Sequence, residues 1–107
     1  MDSKDSLKLS SKEIIECNSR LEGWALIKNK KAIKKAFVFK NFADAFSWMI
    51  SLSKYAEDLN HHPEWTNVYN KVDVLLSTHD VQGLTKKDFL LAEIMNELFL
   101  KYSIEKK

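Results

Sequence analysis

Three times along the chain a side chain suited to capping a helix is followed three positions later by an acidic one: Ser10 and Glu13, Asn41 and Asp44, Thr85 and Asp88. Each pattern marks a helix start, because the capping oxygen accepts from a free N–H of the opening turn and the acidic residue can return the bond. At the first, Leu9 and Ile14 are spaced to staple the entry, and the helix is expected to stop near Gly23. After the second, Phe42, Ala45, Phe46, Met49, Leu52 and Ala56 recur at helical spacing for about four to five turns. That helix is expected to end near Asn60, with Pro63 pushing the preceding chain off helical angles. After the third, Phe89, Leu91, Ile94, Met95, Leu98 and Tyr102 form the apolar side of a final amphipathic helix.

The stretches between these helices alternate as strands do. Trp24 opens an apolar run, the polar stretch from Lys28 to Lys31 interrupts it, and in the next run Phe37 and Phe39 share one face while Ala36 and Val38 share the other. After Pro63, Trp65, Val68 and Tyr69 are followed by Val72, Val74 and Leu76. These read as two further strands meeting near Asn70 and Lys71, although one bent strand fits almost as well. The order helix, strand, strand, helix, strand, strand, helix implies an α+β domain: a four-stranded antiparallel sheet with its helices on one face. The other face is left for water, a ligand or another subunit. The 107 residues suffice for one core and not two, read as a flexible N-terminus over residues 1–8 and a domain over residues 9–104.

Charge narrows the partners. Seventeen basic and fifteen acidic residues leave a formal +2, too small to demand a polyanion. The lysines between Lys28 and Lys40 lack interleaved arginine, and read as a solvated strand edge protected against aggregation, so no direct nucleic-acid contact is expected. Cys17 is the single cysteine, which points to a reducing compartment and a small core or boundary residue rather than a nucleophile. No run is apolar for long enough to span a bilayer and the first residues lack a signal's apolar core. The expected location is cytoplasmic, with nuclear entry of so small a chain left open.

All three histidines fall between His61 and His79, in the same stretch as the only proline. His61 and His62 leave a helix and His79 leaves a strand, and sites are built where rigid elements hand over to loops. If the strand carrying His79 runs back beside the helix end, three imidazoles and Glu57 could line one pocket. Metal ligation by the histidines is disfavoured, since adjacent residues in extended chain point in opposite directions and no helical His pair is present. Ser77 and Thr78 have no elbow motif around them, and no glycine-rich phosphate loop exists. Acid–base work asks only that the imidazoles reach different atoms of one substrate. The bland alternative gives Glu57 to solvent, Asp88 to capping Thr85, and Trp65 and Tyr69 to the core.

The run from Glu57 through Asn60, His61, His62, Pro63 and Trp65, then Tyr69, then Leu76, Ser77, Thr78 and His79, and finally Asp88, closely resembles the signature of the pterin-4a-carbinolamine dehydratases. The likeness extends through Leu21 to Trp24, the Phe37, Phe39 and Phe42 stretch and Gly83 to Thr85, from Leu9 to about Leu100. It implies the same seven-element α+β fold, association as a homodimer or homotetramer, and dehydration of 4a-hydroxytetrahydropterin to quinonoid dihydropterin without a metal or other cofactor. His61 and His79 would then be the principal acid–base residues, His62 would hold the pterin, and Glu57 would orient or tune a histidine. Asn60, His61, His62, Pro63, Ser77, Thr78, His79, Asp80 and Asp88 would form the binding surface. Asn60 stands where many relatives of that family carry aspartate. Some animal relatives also stabilise the dimer of a homeodomain transcription factor, so an interaction module is the alternative role.

Overall fold

The computed structural model describes residues 6–105, with side chains to residue 102. Helix α1 (Ser11–Ser19), strands β1 (Ala25–Ile27) and β2 (Ala32–Val38), helix α2 (Phe42–Leu59), strands β3 (Glu64–Val68) and β4 (Lys71–Leu76), a single 3-10 turn (His79–Val81) and helix α3 (Lys86–Glu105) follow in that order. The strands form one antiparallel sheet in the order β1-β2-β4-β3. Residues 1–5 of the expected flexible N-terminus lie outside the described residues. Leu9, where the domain was expected to begin, is held by its N–H donating to the Leu84 carbonyl at 2.9 Å.

Two of the three capping residues do what their chemistry predicts. Ser10 and Glu13 exchange both bonds of a capping box, and those bonds hold the Glu13 carboxyl below its ordinary range. Asn41 Oδ1 accepts from the Asp44 N–H at 2.8 Å. At α3 only half the box forms: the Thr85 N–H donates to Asp88 Oδ2 at 2.9 Å, while the Thr85 hydroxyl turns to Thr78.

Residue alternation sets the sheet's two faces. Ile33, Phe37, Val72, Val74 and Leu76 are buried under the helices, and the register pairs Phe37 with Val72 and Ile33 with Leu76 across β2 and β4. Trp48 fills the centre, its ring 4.6 Å from Phe37 and 5.4 Å from Phe39, with Nε1 donating to the Met95 carbonyl. The opposite face is uncovered, and a cavity of about 700 Å³ lies on it, lined by Ile27, Lys34, Ala36, Pro63, Glu64 and Leu75 among others.

Spacing left the buried side of α2 open, and two expectations need correction. Helix α2 does not bury Phe42 and Phe46, which stay nearly half exposed with their rings 5.6 Å apart. Its buried stripe is Ala45, Trp48, Leu52, Ala56 and Leu59. Apolar residues occupy two sides of this helix, so spacing alone fits either, and the bulk of Trp48 decides. Nor does Pro63 end α2. Asn60 adopts left-handed φ 52 and ψ 46, its N–H reaching the Glu57 carbonyl and the His61 N–H reaching the Ala56 carbonyl at 2.9 Å. That is the Schellman pattern, with asparagine as one of the few non-glycine residues that tolerate such angles. Finally, Tyr69 is neither core nor stacker: it sits exposed at positive φ in the β3–β4 turn.

One glycine is tied to packing. Gly23 has φ +84, and a Cβ there would stand 2.8 Å from Lys35 Cε and Nζ. Lys35 Nζ donates to the Glu22 carbonyl and to Asn96 Oδ1, which also accepts from Trp24 Nε1. It lies 4.8 Å above the Phe37 ring, where burial pushes the amine down from its ordinary value. Gly23→Ala should therefore both strain the turn and displace this bridge. We expect a loss of about 1–2 kcal/mol in urea unfolding, at unchanged m-value.

Candidate active site

The three histidines each meet a carboxylate through Nε2, and each carboxylate comes from a different element. His61, 8% exposed, lies 2.6 Å from Oδ1 of Asp88, which is fully buried. The other Asp88 oxygen accepts from the Thr78 hydroxyl at 2.7 Å and from the Thr85 N–H at 2.9 Å. Because the Thr78 proton is committed to Asp88, the Thr85 hydroxyl is the donor in the 2.9 Å contact between the two threonines. With Oδ2 taken by Thr78 and Thr85, Oδ1 is left to accept from His61 Nε2, and Nδ1 has no hydrogen-bond partner among the described residues. Helix end, strand end and α3 thus converge on one buried aspartate.

The other two pairs are solvent-facing. His62 Nε2 lies 2.6 Å from Glu57 Oε2, joining the second residue after the α2 cap to the last turn of that helix. His79 Nε2 lies 3.2 Å from Glu64 Oε1, joining the 3-10 turn to the start of β3. Glu64 escaped the sequence reading. Its partner is fixed by register: Glu64 pairs with Leu75 across the sheet, so it stands beside the strand end that leads to His79.

A cavity of about 200 Å³ opens beside His79, with Ser77, Thr78, Gln82 and Gly83 in its wall. Pro63 and Glu64 line the larger cavity on the open sheet face. Neither of these two cavities is lined by His61, His62 or Glu57, and the three imidazoles stand in separate carboxylate pairs. Asn60 is occupied in capping α2, and Asp80 is exposed and lines neither cavity. Asp88 does more than cap. Tyr69 stands at the far end of β3 from Glu64, about 15 Å away along an extended strand.

Other chemistries find less support in the geometry. Among the described residues, no three His, Cys, Asp or Glu side chains are grouped to hold a metal ion. Burial pushes the Cys17 thiol up, away from thiolate chemistry. No helix among the described residues is long and apolar enough to cross a membrane. What remains is a group of imidazoles paired with carboxylates, each with an Nδ1 that has no hydrogen-bond partner among the described residues, which is equipment for moving protons.

Three helices on a four-stranded antiparallel sheet, with histidine–carboxylate pairs at the strand ends, define a chain of the pterin dehydratase fold. A crystal structure of a transcriptional coactivator/pterin dehydratase from Brucella melitensis superposes with a TM-score of 0.83 at 42% identity, covering 86% of this chain and 98% of that one. The family model described as pterin 4 alpha carbinolamine dehydratase matches residues 7–98, and the chain belongs to that family. A protein provisionally named a pterin-4-alpha-carbinolamine dehydratase in Sinorhizobium fredii is 57% identical over 90 residues, 84% of this chain and 86% of the relative. A more distant pterin dehydratase-like protein, described as a RuBisCO assembly factor in the alpha-carboxysome, shares the fold alone, with a TM-score of 0.63 at 16% identity over 73% of this chain and 90% of that one.

Proposed function

We propose that the domain, residues 9–104, is a hydro-lyase that dehydrates 4a-hydroxytetrahydropterin (4a-hydroxytetrahydrobiopterin) to quinonoid dihydropterin and water, in the recycling of a tetrahydropterin. The observation that carries this reading is the buried His61–Asp88–Thr78 network in a chain of this family. The chemistry asks for little beyond proton management. The N5 lone pair forms the C4a–N5 double bond as the C4a–O bond breaks, the departing hydroxyl takes a proton from an imidazolium, and a base removes a ring N–H proton. His61 and His79 take the acid and base roles, His62 holds the ring edge, and Glu57 orients His62. Pro63, Ser77 and Thr78 contribute surface to the pterin, with no metal or cofactor in any step.

Assembly belongs to the same proposal. Phe42, Phe46 and Ile50 leave an exposed apolar stripe on α2, and β1 and β3 are unpaired sheet edges, features that suit a homodimer or homotetramer in the cytoplasm. The deciding measurement is the disappearance of chemically generated 4a-hydroxytetrahydropterin with and without protein. Acceleration well above buffer, unchanged after dialysis against a chelator, is the expected result. No acceleration would end the enzymatic reading and favour a protein-interaction role, whereas loss of rate on chelation would return a metal to the mechanism.

A further inference from the structure

The turn between β1 and β2 places lysines where the fold has no other need of them. Lys28, Asn29 and Lys30 run consecutively through left-handed backbone, with φ of 53, 57 and 65. Such angles favour glycine and asparagine, yet two of the three residues are lysine. Lys28 and Lys31 line the cavity of about 200 Å³ that also holds His79 and Thr78. No carboxylate lines that cavity, and Ser77 and Gln82 add neutral groups able to donate. Lys40 and Lys71 each have an acidic partner. Among the described residues, neither Lys28 nor Lys31 has one.

Size and position limit what this basic recess can take. Pockets that enclose a whole small ligand run from about 300 Å³ upward, so this recess suits a substituent rather than a ring system. Lys28 also lines the cavity of about 700 Å³ on the open sheet face. The Glu64–His79 pair links them, Glu64 standing in the wall of the larger and His79 in the wall of the smaller. In a pterin the reacting C4a is bonded to N5, and N5 to C6. A ring held with C4a and N5 at His79 therefore carries its C6 substituent toward whatever lies beside that histidine.

We infer that the recess formed by Lys28, Lys31 and the Ser77–His79 strand end is a subsite for an anionic C6 substituent, a carboxylate or a phosphate, so that the preferred substrates are acidic pterins. The inference rests on the dehydratase reading for the ring's orientation, but its charge logic can be tested without turnover. Two lysines in a concavity suit one small anion, and each exposed contact adds modestly, so together they are expected to favour an acidic tail about tenfold at low salt.

Oxidised pterins are fluorescent and stable, which allows binding to be titrated directly with 6-carboxypterin, the phosphate ester of 6-hydroxymethylpterin and neutral 6-methylpterin. Wild type should bind the acidic compounds about tenfold more tightly than the neutral one, with the advantage shrinking as salt rises. In a Lys28→Asn, Lys31→Gln double variant the acidic-to-neutral ratio should fall close to one, asparagine being chosen because it tolerates φ near +53. A gain confined to one acidic compound identifies that anion and supports the subsite. Equal binding of acidic and neutral pterins by wild type, or an acidic advantage that survives both substitutions, overturns it. Turnover of the 6-methyl carbinolamine is read in parallel. Acidic preference without turnover keeps the subsite and removes the dehydratase reading, and turnover without acidic preference does the reverse.

Discussion

Asp88→Ala is expected to destabilise the domain by about 3–5 kcal/mol and to abolish accelerated dehydration. The carboxylate has no exposure to solvent and receives three donors: His61 Nε2, the Thr78 hydroxyl and the Thr85 N–H. Alanine would leave all three facing a void too small and too dry to rehydrate them well. For a domain of this length the loss corresponds to a fall in thermal midpoint of about 15 °C or more, readable by circular dichroism. Asp88→Asn separates the contributions. Its amide oxygen can keep the Thr78 and Thr85 bonds, but its NH2 group then confronts a donor at His61, so His61 must change tautomer or leave. We expect Asn to recover much of the midpoint and little of the rate. Full activity in the asparagine variant would remove His61 from the proton-transfer scheme.

The second large effect is expected without any loss of fold. His79 is 81% exposed at its side chain, and among the described residues its side chain hydrogen-bonds only Glu64, so His79→Ala should move stability by no more than about 0.5 kcal/mol. If His79 transfers a proton in the rate-limiting step, removing it should cost about 10²–10⁴ in kcat/KM for the carbinolamine. His62→Ala, also at an exposed side chain (61%), should act mainly on KM. A His79→Ala enzyme with wild-type kcat/KM would shift the acid–base pair elsewhere, His61 and His62 being the remaining candidates.

How much of this was legible beforehand can be judged residue by residue. The element order and the antiparallel sheet followed from caps and alternation, because both are local: Ser10 with Glu13 and Phe37 with Phe39 carry their meaning within a few positions. The buried side of α2 was not fixed by spacing, because two apolar sides have the same period, and only the mass of Trp48 against Phe37 and Phe39 breaks the tie. The helix end was placed correctly near Asn60 but for the wrong cause, since the left-handed asparagine acts before Pro63 is reached. At the site, the histidines and Glu57 were visible as a cluster. The partnership of His79 with Glu64 depends on strand register, and that of His61 with Asp88 spans 27 positions, so neither could be read from neighbours in sequence. The lysines of the β1–β2 turn looked like ordinary edge protection until the fold brought them against the strand end of His79.

The aspartate at the start of α3 also has a consequence for how the chain reaches its working state. Its three donors come from the end of α2, the end of β4 and the loop before α3, so the histidine is not oriented until the central sheet pairing has formed and the last helix has docked. Contacts of such long sequence separation form late, after the local turns and helices. If His61 transfers a proton as proposed, competence waits on completed folding: a nascent chain whose last helix is still unmade has every histidine but lacks the aspartate that orients His61.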